Sequence, residues 1–305
     1  MQGIELSRKY YETYGLPMLQ NQFADVMDRI AVGLVGEGSE CLGFDDGISQ
    51  DHDFEPGFCL FITRSDYEKF GFSLERAYAK LPKTFLGFER APLSPVGGNR
   101  HGVLIIEDFY GQFLGAETAP QSNDHWLALP PAALRAACSG EVWRDDLGVF
   151  TAVRKVLLAG YPEDVRLKKL AAHTVLMGQA GQYNLPRCLQ RNDREAAQLC
   201  CMEFIRHAIS AVYLLNNQYE PFYKWAYRGI RDLPLLSDIG AVLTSLIPAD
   251  DPAPIAEQIA RIICDAFRTQ GISPLQGDQL TAHAYAITEQ IQNGNLRNMH
   301  IMDGI

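Results

Sequence analysis

Residues 36–53, Gly-Glu-Gly-Ser-Glu-Cys-Leu-Gly-Phe-Asp-Asp-Gly-Ile-Ser-Gln-Asp-His-Asp, constrain this chain more than any other stretch. They follow a compact apolar run at 31–35 (AVGLV), which reads as a short buried strand. The strand runs into a Gly-Ser turn at Gly38 and Ser39. Eleven residues follow Ser39, and then come two acids separated by one residue, Asp51 and Asp53. Each part has a physical use. A glycine at 38 lets the backbone approach a ligand closely, and the amides of Gly38 and Ser39, with the Ser39 hydroxyl, can bind phosphate oxygens where a helix starts. Residues two apart on a strand point to one side, with Cα atoms roughly 6.6 Å apart. Two such carboxylates can bridge a pair of Mg²⁺ ions about 3.5–4 Å apart, and Mg²⁺ prefers hard oxygen ligands of this kind together with substrate phosphates.

Blander assignments compete. DDGISQDHD alone would be a solvated acidic loop, and the upstream strand and Gly-Ser turn are what favour a metal site. An EF-hand fails, because no register puts glycine at position six and glutamate at position twelve. His52-Asp53 is not accompanied by the further helical His and Asp ligands that an HD-type phosphohydrolase needs, so His52 is expected to order the loop.

The rest of the chain divides in two. Apolar runs at 58–63 (FCLFIT) and 102–106 (GVLII) join 31–35 as expected strands, each bounded by Gly, Pro or Asp. Helices are expected at 17–30 and at 65–81, where Phe70, Leu74, Tyr78 and Leu81 share one face. Beyond about residue 130 the pattern turns helical. Pro130-Pro131 and Tyr161-Pro162-Glu163-Asp164 open helices, Asn192-Asp193 caps a long apolar one to about Leu215, Pro221 opens another, and Gly271 and Asn293-Gly294 end the last two. The fold class is therefore α+β: residues 1–130 form a domain with a small mixed sheet flanked by helices, and 131–305 an all-helical bundle.

With 305 residues, 47% of them hydrophobic, the chain can bury two cores. A net charge of −10 argues against a protein that grips nucleic acid over its surface. Seven cysteines without a CxxC pair, and a charged first segment (MQGIELSRKYYETYG) without an apolar stretch, predict reduced thiols in a cytoplasmic protein with no membrane span.

The order strand, Gly-Ser, spacer, Asp-x-Asp, next strand resembles the nucleotidyltransferase superfamily of the DNA polymerase β type, and within it the small bacterial transferases that adenylylate antibiotics or proteins. A nearer resemblance is to the bacterial domain-of-unknown-function 4037 family, carried by GSE-x-x-GxDD-x-x-SxDHD, GEVWRDDLG, YPEDVRLKKLA, YNLPRCLQRND and PFYKWAYR, from about residue 30 to 230. The resemblance implies a minimal nucleotidyltransferase domain in residues 1–130. It also implies two Mg²⁺ ions on Asp51 and Asp53, and a third carboxylate on a neighbouring strand. Glu107, at the end of GVLIIED, is the candidate for that role and for helping to deprotonate the acceptor; Asp108 is its rival, because alternation sends the two to opposite faces. One departure stands out: Glu55-Pro56-Gly57 interrupts the strand expected after the acids, which suits a bent segment.

The implied reaction carries a nucleoside monophosphate, AMP from ATP in the first instance, to a hydroxyl of a small molecule or protein. Gly38 and Ser39 would hold the β- and γ-phosphates. Positive charge would come from Lys224 and Arg228, four apart on the helix from Pro221 with Tyr223 and Trp225 beside them; an amphipathic face packed in the bundle is the competing assignment. Tyr183, Asn184 and Arg187 in YNLPR form a second polar cluster. Arg100-His101 is expected to be a turn, with a phosphate contact as the alternative, Lys168-Lys169 a solvated helix face, and Cys200-Cys201 a pair of buried thiols. Two other functions compete with transfer to a small acceptor. One is a non-catalytic nucleotide-binding interaction module, an antitoxin-like partner. The other, a transferase on RNA ends, is disfavoured by the net charge.

Overall fold

The computed structural model describes residues 1–49, 55–90 and 100–305, so Asp51, His52 and Asp53 lie outside the described residues. The chain begins with α1 (Gly3–Tyr10), a π turn and α2 (Leu16–Gln22), then a 3₁₀ turn (Ala24–Arg29) and β1 (Ala31–Leu34). The helix expected over 17–30 thus stops at Gln22. The short α3 (Ser39–Leu42) is followed by β2 (Cys59–Ile62), by α4 (Arg64–Asp66) and α5 (Phe72–Ala79) around a π turn, and by the hairpin β3 (Thr84–Phe85) and β4 (Phe88–Glu89). Next come β5 (Gly102–Ile105), α6 (Ile106–Leu114), α7 (Asn123–Ala128), α8 (Pro131–Cys138), β6 (Glu141–Arg144) and α9 (Val149–Leu158).

The three expected strands pair as expected runs do, within a residue at each end. They join a fourth in a mixed sheet of order β5-β2-β1-β6. β2 is antiparallel to β1 (Ala31 opposite Phe61, Gly33 opposite Cys59) and parallel to β5 (Cys59 opposite Gly102, Ile62 opposite Ile105). β6 is antiparallel to β1, with Leu34 opposite Glu141. β1 and β2 are buried along their whole length, as continuous apolar runs require when both sheet faces are covered. One face carries Tyr10, Leu19, Ile30, Phe58, Leu60 and Leu74. On the other, the Phe61 ring stacks on Phe150 at 4.1 Å and meets Phe109 edge-on.

The chain falls into two compact units. Residues 1–120 and 133–159 form one, and 121–132 with 160–305 form the other. This differs from a boundary at 130 for a definite reason: β6 returns to pair with β1 and brings α9 with it. EVWR is half-buried at all four positions, so it lacks the apolar run that marks the other strands.

In the first unit, Thr63 caps α4 by accepting from the Asp66 amide at 3.2 Å, and the Asp66 side chain, fully buried, accepts from Arg29 Nε at 2.9 Å. Burial pushes its carboxyl up, but the hydrogen bonds from Arg29 and Thr63 and the charges of Arg29 and Lys69 outweigh it and leave the group below its usual range. A depressed folded value gives stability that is present above the ordinary carboxylate range and is lost as pH falls through the folded value. Asp66→Asn is therefore expected to cost about 2 kcal/mol at neutral pH. In urea titrations the difference from the parent chain should shrink below about pH 4.

The second unit adds α10 (Glu163–Met177), a π turn (Gly178–Asn184), α11 (Leu185–Gln190), α12 (Arg194–Leu215), α13 (Tyr223–Ile230), α14 (Ile239–Ser245), α15 (Ala253–Thr269), α16 (Leu280–Gln290) and α17 (Gly294–Asn298). Asp193 caps α12, accepting from the Ala196 amide at 3.0 Å, as its sequence position predicts. α10 packs between α12 and α16. Lys168 and Lys169 are not a solvated face. Lys168 is fully buried and donates to the carbonyls of Met299 (3.1 Å) and His300 (2.7 Å), while Lys169 donates to those of Leu127 (2.8 Å) and Gly304 (3.0 Å). Among the described residues, no helix is long and apolar enough to cross a membrane.

Candidate functional site

β1 ends at Leu34 and the chain turns at once through Gly36 and Gly38, whose φ angles of 130° and 121° lie in the region that L side chains rarely adopt. Gly38 precedes Ser39, the first residue of α3. A Cβ at Gly38 would run into the Arg100 guanidinium and the Glu40 carboxylate, so both the conformation and the space require glycine there.

The strand directions decide what else gathers at this end of the sheet. β2 begins at Cys59, opposite Gly33, so residues 55–58, which follow the Asp-x-Asp segment, lead into the sheet beside the place where β1 leaves it. β5 runs parallel to β2 and begins at Gly102, opposite Cys59, which brings Arg100 and His101 to the same end. Arg100 donates to the Glu37 carbonyl and forms an ion pair with Glu40, whose side chain is 11% exposed. His101, buried, shares a hydrogen bond of 3.0 Å with Glu55 through Nδ1. The Cys59 thiol donates to the Arg100 carbonyl at 3.2 Å. The surroundings are dry: burial pushes the Cys59 thiol up to about 12, and burial first, then the neighbouring Glu40, holds Cys41 well above the usual thiol range.

Arg100, expected from its sequence position as a turn residue with a phosphate contact as the alternative, thus stands as a cation at the Gly-Ser turn. The signal was its place directly before a strand parallel to β2, which only the sheet order reveals.

Glu107 is not where the resemblance would put a third carboxylate. β5 carries no acid, and the chain becomes helical at Ile106, so Glu107 and Asp108 stand in the first turn of α6, where acids suit the positive helix end. They lie past the end where β2 and β5 finish, a strand length of about 13 Å from the end with the Gly-Ser turn. There Glu107 accepts from the Arg64 amide at 3.0 Å, and Arg64 pairs with Asp108 at 2.7 Å and Glu117 at 3.2 Å. Two acids near the turn are engaged, Glu40 with Arg100 and Glu55 with His101. Among the described residues, no three His, Cys, Asp or Glu side chains gather to hold a metal ion.

In the same unit an open groove of about 600 Å³ starts at Gly140, whose amide donates to the Cys41 carbonyl of α3 at 2.7 Å. Arg8, Glu141, Arg154 and Lys155 line it. Arg154 donates to the carbonyls of Ser139 (3.1 Å) and Gly140 (2.7 Å), which fixes the corner beside α3, and burial lowers its pKa from the usual arginine value.

In the second unit the expected residues form two local pairings. The Arg187 guanidinium lies 3.8 Å from the centre of the Tyr183 ring, and Tyr183 is 54% exposed. On α13, Lys224 lies 5.1 Å from the Trp225 ring, and Arg228 bonds Asp232 at 2.8 Å one turn on. Asn184 ends the π turn that carries Tyr183.

Residues 126–226 match the family model described as a domain of unknown function, DUF4037. The match supports the nearer of the two resemblances over about a third of the chain, and it covers Tyr183, Arg187 and Lys224 but neither the Gly-Ser turn nor Asp51 and Asp53. No curated protein and no solved structure matches the chain.

Proposed function

We propose that this protein is a nucleotidyltransferase that binds ATP by its phosphates at Gly38 and Ser39 and transfers AMP to a hydroxyl of a small-molecule or protein acceptor. The observation that carries this reading is the meeting, at one end of the sheet, of the glycine turn after β1, the Arg100 cation and the start of β2. The chain between that turn and β2 contains Asp51 and Asp53. Arg100 is paired with Glu40 and a backbone carbonyl, and a triphosphate would replace those oxygens with its own. The acceptor oxygen attacks the α-phosphorus, its proton passes to solvent, and the bond to the leaving pyrophosphate breaks. Mg²⁺ enters this reading only as the ion that the resemblance assigns to Asp51 and Asp53. The groove beside α3, with its cations, suits an acceptor that carries negative charge. Tyr183, Arg187, Lys224 and Arg228 remain proposals for base and phosphate contacts, and the assignment of the nucleotidyltransferase-type domain to the first unit belongs to the same proposal.

A second reading, a nucleotide-binding module without catalysis, is favoured by one observation: β5 lacks an acid and Glu107 stands at the other sheet end. The two readings separate cleanly. With α-labelled ATP, Mg²⁺ and cell extract, transfer predicts labelled acceptor and pyrophosphate release that Asp53→Ala lowers at least 100-fold. The module predicts ATP binding with neither product. Absence of ATP binding would contradict both.

A further inference from the structure

Of the seven cysteines, Cys41, Cys59, Cys138, Cys201 and Cys264 are buried, and the two that are partly exposed, Cys188 and Cys200, face each other with their sulfurs 4.0 Å apart. We propose that Cys188 and Cys200 form an oxidative modification site, a thiol pair that hydrogen peroxide converts into a disulfide joining α11 to α12.

The corner between these helices holds the pair in register. The Cys188 carbonyl accepts from the amides of Arg191 (3.1 Å) and Asp193 (3.0 Å), Asn192 takes a left-handed φ of 57°, and Asp193 then caps α12. A disulfide bond is about 2.05 Å long, so the sulfurs need to approach by about 2 Å.

The chemistry balances with peroxide as the only co-reactant. The thiolate of one cysteine, here Cys188, attacks one peroxide oxygen and the O–O bond breaks; Cys188 becomes a sulfenic acid, and the departing hydroxide takes up the proton that the thiol gave up and leaves as water. The Cys200 sulfur then attacks the Cys188 sulfur, the S–S bond forms as the S–O bond breaks, and the hydroxyl leaves as a second water with the Cys200 proton. Two thiols and one peroxide give one disulfide and two waters. Burial and then the hydrogen bond with Cys188 push the Cys200 thiol up to about 11, and the balance is the same whichever sulfur meets the peroxide first. Cys188 is the next residue after Arg187, so the bond would also restrain the Tyr183–Arg187 stack, whether or not that stack meets a nucleotide.

The test treats the folded, reduced protein with hydrogen peroxide, alkylates it, and maps the peptides by mass spectrometry. The expected result is a loss of two hydrogens, a linked peptide pair containing Cys188 and Cys200, and full return of both thiols with dithiothreitol. Cys201→Ser should leave the link intact and Cys188→Ser should abolish it, with circular dichroism showing each variant folded. Oxygen addition at the two sites without a linked pair, or a link to Cys201, would overturn the proposal.

Discussion

Gly38→Ala is expected to lower ATP affinity at least tenfold and to destabilise the first unit by about 2 kcal/mol. Two effects act together. A side chain at φ 121° occupies backbone space that L residues rarely enter, and its Cβ collides with the Arg100 guanidinium and the Glu40 carboxylate. Relief requires either the turn or Arg100 to move, and both form the proposed phosphate cradle. Gly43→Ala makes a useful contrast. It also has a left-handed φ, of 70°, but a Cβ there meets nothing within 4 Å. It should therefore lose stability through strain while keeping most of its affinity for ATP. Fluorescent-nucleotide titration beside thermal unfolding reads the two quantities separately. Equal affinity losses in both variants would mean that the space at Gly38 has no special relation to the ligand.

Lys169→Ala is expected to cost the second unit about 3 kcal/mol, among the largest effects of any single change in that unit. The ammonium donates to two backbone carbonyls from distant parts of the chain, Leu127 and Gly304, and its stem fills space inside the bundle. Burial also lowers its folded value to about 8 from the ordinary 10.5. Between those limits the unfolded chain holds a proton that the folded one has released. Stability from this residue therefore rises with pH across that window, by up to about 1.4 kcal/mol per pH unit. Guanidinium unfolding of the parent chain and of Lys169→Met should show the difference between them changing in the parent's favour from pH 8 to 10. A difference independent of pH would mean that the lysine stays charged or solvated.

The two lysines also show where a sequence stops being informative. A pair of adjacent cations on a helix is ordinarily solvent-facing. What buries Lys168 and Lys169 is the returning tail near residues 299–304, whose carbonyls are more than a hundred positions away and leave no local signal. Local signals served well elsewhere. The apolar runs that became β1, β2 and β5, the cap at Asp193 and the stop at Gly271 each depend on neighbours within a few positions. β6 lacked such a run, so the sheet's fourth strand and the return of 133–159 to the first unit were hidden. GVLIIED reads as a strand reaching Glu107 because apolar residues continue to Ile106, whereas the backbone becomes helical there and carries both acids to the other end of the sheet. The Gly-Ser turn was legible as a motif; the approach of Arg100 to it needed the parallel pairing of β5 with β2.

Hydrogen exchange with and without ATP tests the proposed phosphate cradle most directly. Binding at the turn predicts slowed exchange across residues 37–42, with Arg100→Met abolishing that protection in a protein that still unfolds cooperatively. Protection confined to other segments, with residues 37–42 unchanged at saturating ATP, would contradict the assignment.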